Sequence, residues 1–193
     1  VEGPYVDRLA SKYGTTTAQA QAMIDRMTAQ AAAEGLAFDF DAAQPGNTFD
    51  AHRLLQLAAD RGVQREVKTR FLAGYLSEGA AIGTADALRA LATDGGLDAA
   101  AVDAVLAGDR YADAVRADER QARAYGISGV PFFVFDRRIG VSGAQPPELL
   151  HQALAQTWQT TADTPETQPT SSSSSRAGHD AAACADGSCA VHS

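Results

Sequence analysis

The chain has 193 residues, of which 45% are hydrophobic and 21% are charged, and its formal net charge is -8 at pH 7. This composition is typical of a folded, soluble protein, and the excess of acidic side chains argues against a surface that neutralises nucleic-acid phosphates. No run of about 18 apolar residues occurs, so the sequence predicts no transmembrane helix and no membrane partner.

The N-terminus of the chain bears on its location, and the two cysteines near the C-terminus bear on how the fold is held together. The chain begins at Val1 and shows no basic segment followed by an apolar one, so no secretory signal can be read. Either an upstream segment has been removed or the chain is a fragment, and with no signal we expect a cytoplasmic location. The two cysteines, Cys184 and Cys189, both lie near the C-terminus, so no disulfide framework holds the globular part.

Composition changes near residue 160. All aromatic residues lie at or before Trp158, whereas residues 161–193 contain two prolines and a run of five serines. Such a segment cannot bury enough apolar surface to offset the entropy lost on ordering. We therefore predict a globular part up to about residue 160 and a disordered tail at 161–193.

Glycines and capping residues divide the globular part into predicted helices. Pro4 begins the first helix, which ends at Gly14. Thr16 and Gln19 form a capping-box pattern at the start of the second helix, which ends at Gly35. Five more helices are predicted at 49–61, 64–78, 85–94, 99–107 and 111–125, with N-caps at Thr48, Thr84, Asp98 and Asp109.

Strand-like patterns occur at two places. Apolar residues of the segment 36–40 alternate with Ala37 and Asp39, which predicts a short strand. Residues 130–135 and 138–142 predict a β-hairpin, with its turn between them.

One further helix is predicted to close the globular part. Pro146 and Pro147 begin it, and it continues to about Trp158. His151 is expected on its exposed side. The side chains expected on its buried face are Leu149, Leu150 and Leu154.

Pro131 stands at the entrance of the first hairpin strand. A proline there removes a ladder donor and is tolerated at a first strand position or in a special turn. If the Val130–Pro131 bond is cis, the Val130 N–H and C=O can face outward and pair with an extended peptide or a glutathione-like thiol. The alternative is a trans proline that only begins the strand.

Three segments carry a resemblance to a known family: residues 129–135, 141–145 and 47–54. Together they resemble the DsbA-like thioredoxin-fold family, in particular its FrnE branch, which is related to 2-hydroxychromene-2-carboxylate isomerases and kappa-class glutathione transferases. The resemblance covers about residues 1–158. It implies an α-rich α+β chain: a thioredoxin-like fold with an inserted all-helical domain, in which the N-terminal part of the thioredoxin sheet is missing.

The resemblance also implies a division of the chain. Residues 1–46 would be a partial thioredoxin-like segment and 47–126 the inserted helical domain. Residues 127–160 would be the hairpin and C-terminal helix, and 161–193 the tail with the cysteine pair.

The function implied by the resemblance is thiol–disulfide exchange of the DsbA/FrnE type, as a protein disulfide oxidoreductase or isomerase. The expected partner is a protein or peptide thiol or disulfide, glutathione included, and no cofactor or metal is expected. However, the 193 residues contain no C-x-x-C, so the nucleophile is absent from this chain and the chain alone can be inactive. The alternatives are a glutathione-dependent isomerase or transferase and a non-catalytic peptide-binding module; the residues encoded upstream of Val1 would separate them.

Particular residues follow from the same resemblance. It places Pro131 and Val130 in a cis-proline loop beside the redox site. Substrate contacts are implied at Asn47, Thr48, Ala144 and Gln145. Where glutathione-using relatives often carry an acidic residue, this chain has Gln145. Asn47 and Thr48 can also be a plain helix cap.

The tail offers a second, weaker signal. Cys184 and Cys189 are separated by four residues that include Asp-Gly, which can turn tightly enough to close a labile disulfide. His179 and His192 flank the pair, so four potential zinc ligands are present, although the spacing matches no zinc-finger pattern closely. The pair can be redox-active, metal-binding or inert. His52 is expected to be a packing or capping residue rather than a general base.

Overall fold

The computed structural model of the protein describes residues 3–162. The chain divides into two compact units, one ending at Val130 and the other beginning at Pro131. In its described part, the first unit contains the helices α1 (Tyr5–Tyr13), α2 (Thr17–Ala33), α3 (Phe49–Asp60), α4 (Gln64–Ser77), α5 (Ala85–Asp94), α6 (Ala99–Ala107) and α7 (Ala112–Ala124). The second unit contains the strands β1 (Phe132–Phe135) and β2 (Ile139–Ser142) and the helix α8 (Pro147–Ala162). The predicted helices and hairpin are thus present.

Helices α3, α4, α5 and α6 form the core of the first unit. Its most deeply buried side chains are Leu54, Leu57, Val67, Leu88, Val102 and Val105. Burying one such side chain contributes about 1.5–3 kcal/mol. The helical part of the chain therefore has an apolar core of its own.

Several predicted helix caps are confirmed. Thr16 and Gln19 form a reciprocal capping box at the start of α2. The side chains of Thr84 and Asp98 accept hydrogen bonds from backbone N–H groups in the first turns of α5 and α6. Thr48 differs, because its side chain makes no cap hydrogen bond at α3.

The predicted strand at 36–40 is wrong. These residues form an irregular segment, and the backbone N–H of Asp39 donates to the carbonyl of Leu76 in α4 at 2.7 Å instead of to a neighbouring strand. Phe40 is buried, and its ring lies 5.2 Å from that of Tyr5. In this segment the ring of Phe40 therefore packs against α1. Alternating apolar residues do not form a strand here, because no partner strand lies beside them.

Two glycines hold the loop before α3 in place. A Cβ on Gly46 would lie 2.7 Å from the Cα of Gly83, which is closer than real Cβ contacts allow. The side-chain amide of Gln44 also donates to the carbonyl of Gly79 at 2.9 Å. Residues 41–48 are therefore packed directly on the connection between α4 and α5.

The hairpin of the second unit is antiparallel, and Phe132 pairs with Ser142 and Phe135 with Ile139. Its turn contains Asp136 at φ 48° and Arg137 at φ 57°. Positive φ at both central residues matches the right-handed twist of the strands. The predicted turn is confirmed, although neither residue is a glycine.

Helix α8 contacts both strands, but its predicted buried face is only partly correct. Leu149 and Leu154 are exposed, whereas Ala153 and Thr157 are buried. At 3.6 residues per turn, positions 149 and 154 lie about 140° apart, so a narrow hairpin cannot cover both. Among residues 3–162, no helix combines the length and the apolar composition needed to cross a membrane.

Candidate functional site

Val130 and Pro131 lie immediately before β1, at the predicted substrate-facing loop. Val130 is 91% exposed. The Pro131 carbonyl accepts a hydrogen bond from the N–H of Gly143 at 2.9 Å, whereas no hydrogen bond among the described residues uses the N–H or C=O of Val130. Val130 therefore presents free peptide groups beside a fixed proline. The cis isomer of the Val130–Pro131 bond stays a prediction.

The peptide groups of β1 alternate between two directions. The Pro131 carbonyl points to β2, so the N–H and C=O groups of Phe132 and Val134 point to the outer edge of β1. Within the described part of the chain the sheet consists of β1 and β2 alone, so no further strand occupies that edge. Val130 immediately precedes this strand in sequence, and no hydrogen bond among the described residues uses its N–H or C=O, so an extended peptide can pair with them.

Ala144 and Gln145 follow β2 and are exposed. The side-chain amide of Gln145 donates to the carbonyl of Ser142 at 2.8 Å, and its backbone N–H donates to the carbonyl of Gly143 at 3.1 Å. The Gln145 side chain is thereby folded onto its own loop, leaving its carbonyl oxygen as an acceptor. The hydrogen bond between Gly143 and Pro131 brings this loop to the Pro131 segment.

Asn47 and Thr48 belong to the first unit, at the start of α3, and both are exposed. The side-chain oxygen of Asn47 accepts a hydrogen bond from the backbone N–H of Phe49 at 2.9 Å. The predicted helix cap thus exists, but Asn47 rather than Thr48 supplies it. The NH₂ group of Asn47 stays available to a ligand.

Asn47 and Thr48 line a groove of about 620 Å³ between α3 and α7. The guanidinium of Arg116 lies over the ring of Phe49, 4.7 Å from its centroid, and pairs with Glu119 at 3.3 Å. The amide of Gln56 donates to Asp118 at 2.8 Å. The groove therefore offers amides and charges of both signs.

His52 lies on the same groove and is exposed, so it is not a packing residue of the core. His151 is exposed on α8, as expected.

The α3–α7 groove depends on Arg53, which sequence reasoning did not single out. Arg53 is only 4% exposed. Its guanidinium donates to the carbonyls of Val105 and Gly108, each at 2.5 Å, and of Arg110 at 2.9 Å, and it pairs with Asp50 at 2.8 Å. The available signal was its position beside Leu54, one turn before Leu57, on the apolar face of α3. Arg53 fixes the connection between α6 and α7 against α3.

Tyr111 makes a second contact that holds the connection between α6 and α7 against α3. It takes φ 64° directly before α7, and its hydroxyl donates to Asp60 at 2.6 Å. This hydrogen bond raises the pKa of the Tyr111 phenol. The predicted N-cap at Asp109 is wrong, because Asp109 contributes its backbone carbonyl, which accepts from the N–H of Ala112 at 3.0 Å. The observed N-cap position is that of Tyr111.

The predicted site residues thus fall into two groups. Pro131, Ala144 and Gln145 meet within the second unit, whereas Asn47 and Thr48 belong to the first. Cys184, Cys189, His179 and His192 lie outside the described residues. Within residues 3–162, no cluster of three or more His, Cys, Asp or Glu side chains could hold a metal ion.

The fold and these loops define a class of protein: a helix-rich, DsbA-like thioredoxin fold with a helical insertion and a small two-stranded sheet. The family described as a DSBA-like thioredoxin domain matches residues 6–155, and the chain belongs to that family.

A solved structure gives a second comparison. The chain is similar to the crystal structure of a probable DsbA oxidoreductase from Streptomyces coelicolor, with 49% sequence identity and a TM-score of 0.74. The match covers 81% of this chain and 68% of the Streptomyces chain. A search of curated proteins found no match.

Proposed function

We propose that the protein is a thiol–disulfide oxidoreductase of the DsbA/FrnE type, and that the Val130–Pro131 loop binds the extended, cysteine-containing segment of its substrate. Membership of the DsbA-like family supports the reaction class. The observation that carries the binding role is the exposure of Val130 together with its unpaired peptide groups beside the anchored Pro131.

Binding by the backbone suits this reaction class. A strand added to the outer edge of β1 pairs through N–H and C=O groups that every substrate has, so affinity does not require one side-chain sequence. A protein that exchanges disulfides with many partners needs such tolerance. The exposed side chains of Phe133 and Val134 add apolar contact area on the hairpin.

The steps of thiol–disulfide exchange indicate which part of the reaction we assign to residues 3–162. In exchange, a thiolate attacks one sulfur of a substrate disulfide and forms a mixed disulfide, and the other substrate sulfur leaves as a thiolate. A second protein thiolate then attacks the mixed disulfide, so that the substrate leaves reduced and the protein is oxidised. The 193 residues contain no C-x-x-C, so we assign to residues 3–162 the substrate-binding part and not the nucleophile.

Backbone recognition is tested by comparing two substitutions at Val130. Val130→Pro removes the N–H donor, whereas Val130→Ala keeps it. Binding of a labelled, reduced peptide with one central cysteine is measured by fluorescence anisotropy. We expect Val130→Pro to weaken binding about 3- to 10-fold, the loss of one hydrogen bond, and Val130→Ala to change it less than about twofold. Equal affinities of the Val130→Pro protein and the unmodified chain would contradict the proposal.

Glutathione is the alternative substrate, and Gln145 bears on it. Since the Gln145 amide already donates to Ser142, the side chain offers only its uncharged oxygen to the ammonium group of glutathione. A carboxylate there would form a charge-assisted hydrogen bond, roughly twice as strong. Glutathione binding that exceeds peptide binding and strengthens in Gln145→Glu would favour the isomerase or transferase function.

A further inference from the structure

A second groove in the first unit shares no lining residue with the α3–α7 groove. It has a volume of about 440 Å³ and is formed by α1, α4 and the loop before α3. Its lining includes Tyr5, Arg8, Leu9, Lys12, Pro45 and Tyr75.

The charge of this groove is opposite to that of the chain. Arg8 and Lys12 lie one helical turn apart on α1, and no acidic residue is among the described residues that line the groove. The chain as a whole carries a formal net charge of -8. A local pair of cations in such a chain attracts small anions from solution.

The arginine of this groove differs from the structural arginines of the same unit. Arg70 pairs with Glu78 and Asp94. The Arg8 guanidinium, which is half-buried, has no carboxylate partner and no side-chain hydrogen bond among residues 3–162. Arg8 thus keeps its planar set of donors available for a carboxylate or phosphate.

Two tyrosines supply further donors and a flat apolar surface. Tyr5 is half-buried, and its ring packs against the buried Phe40 at 5.2 Å, which fixes its position. Burial raises the pKa of both Tyr5 and Tyr75. Their hydroxyls therefore stay protonated at neutral pH and can donate to an anion.

We propose that this groove binds a small ligand in which a carboxylate or phosphate group adjoins a flat apolar part. Arg8 holds two oxygens of the anion, and Lys12 and the Tyr75 hydroxyl complete its contacts. The apolar part lies against Leu9, Pro45 and the ring of Tyr5. The site is separate from the thiol–disulfide exchange proposed above and does not depend on it.

The experiment is a titration of the full chain, followed by two-dimensional amide NMR, with benzoate, phenyl phosphate, inorganic phosphate and benzamide as probes. We expect saturable shifts for benzoate and phenyl phosphate, weaker binding of inorganic phosphate, and at least about tenfold weaker binding of the uncharged benzamide. The stronger of the two aromatic anions identifies the preferred anionic group. Added salt should weaken binding of both anions.

Substitutions then locate the site. Arg8→Gln should weaken benzoate binding about tenfold or more, and Tyr75→Phe about threefold. The matched control is Arg61→Gln, which removes the same charge at the end of α3, away from the groove, and should change affinity less than about twofold. If Arg8→Gln lowers the melting temperature, Lys12→Gln and Tyr75→Phe decide the question.

Three results would overturn the proposal. Benzamide binding as tightly as benzoate would show that the anion is not recognised. An equal loss of affinity in Arg61→Gln and Arg8→Gln would show a general effect of net charge. Shifts that do not saturate with any probe would show that no site exists.

Discussion

Replacing Arg53 by Met should destabilise the first unit more than any surface change. The side chain is 4% exposed, and three backbone carbonyls depend on its guanidinium. Met has a similar length and no donor, so the substitution leaves those acceptors unpaired while it retains most of the apolar contact. The effect therefore measures the hydrogen bonds rather than a cavity.

The magnitude follows from how deeply each acceptor is buried. The hydrogen bond to Val105 is buried, whereas those to Gly108 and Arg110 are partly buried. A buried acceptor left unpaired costs about 1–3 kcal/mol, and a partly buried one recovers some of this from water. We take about 2 kcal/mol for the carbonyl of Val105 and about 1 kcal/mol each for those of Gly108 and Arg110. Burying a thioether costs less than burying a charge, which offsets part of this sum. We therefore expect the free energy of unfolding to fall by about 3 kcal/mol.

The assay is equilibrium urea unfolding followed by far-UV circular dichroism, which reports mainly the helices of the first unit. Arg61→Met is the control, because Arg61 is exposed and forms no side-chain hydrogen bond among residues 3–162. Asp50→Asn removes the exposed carboxylate partner alone and should cost less than about 1 kcal/mol. If Arg53→Met shifts the unfolding midpoint no more than Arg61→Met, the three carbonyls do not depend on Arg53 and the reasoning is wrong.

Three further substitutions test other parts of the chain. Gly46→Ala should cost about 1–3 kcal/mol, since its Cβ would overlap backbone 2.7 Å away, whereas Gly129→Ala has open space and should be nearly neutral; urea unfolding compares them. Arg137→Gly should stabilise the hairpin by about 0.5–1 kcal/mol, because relief at φ 57° exceeds the entropic cost of glycine; amide hydrogen exchange of β1 and β2 measures it. Replacing Cys184 and Cys189 by Ser should abolish any residual exchange with a disulfide peptide, since the sequence contains no other cysteine, and should leave the melting temperature almost unchanged, because a cross-link that closes so short a loop removes little denatured-state entropy; surviving exchange or a shifted melting temperature would contradict this.

Local sequence signals predicted the helices and the hairpin well. Apolar spacing and capping patterns act within one or two turns, as at Thr16 with Gln19, so they can be read without tertiary information. The Asp136–Arg137 turn was similarly local. The segment 36–40 failed because alternation produces a strand only where a partner offers a ladder, and its neighbour is α4.

The candidate site was only partly predictable, since its geometry depends on distant residues. Asn47 and Pro131 could be picked out from local sequence and family resemblance. The three carbonyls that accept from Arg53 lie more than 50 residues away, and only the pair with Asp50 is local. The placement of Tyr5 and Tyr75 in one groove is equally non-local.

The loop at 41–48 connects the stability of the first unit to the α3–α7 groove and to the groove of α1 and α4. Pro45 lines the groove of α1 and α4, and Asn47 lines that of α3 and α7, with Gly46 between them against Gly83. A displaced Gly46 must move both neighbours, whereas the hydrogen bonds of Arg53 go to the α6–α7 connection and to Asp50 rather than to this loop. We therefore expect that, in folded protein, Gly46→Ala weakens benzoate binding and Arg53→Met does not. Arg53→Met nevertheless lowers the free energy of unfolding by at least as much as Gly46→Ala. If benzoate affinity instead follows stability across the two proteins, the loop does not position the anion groove.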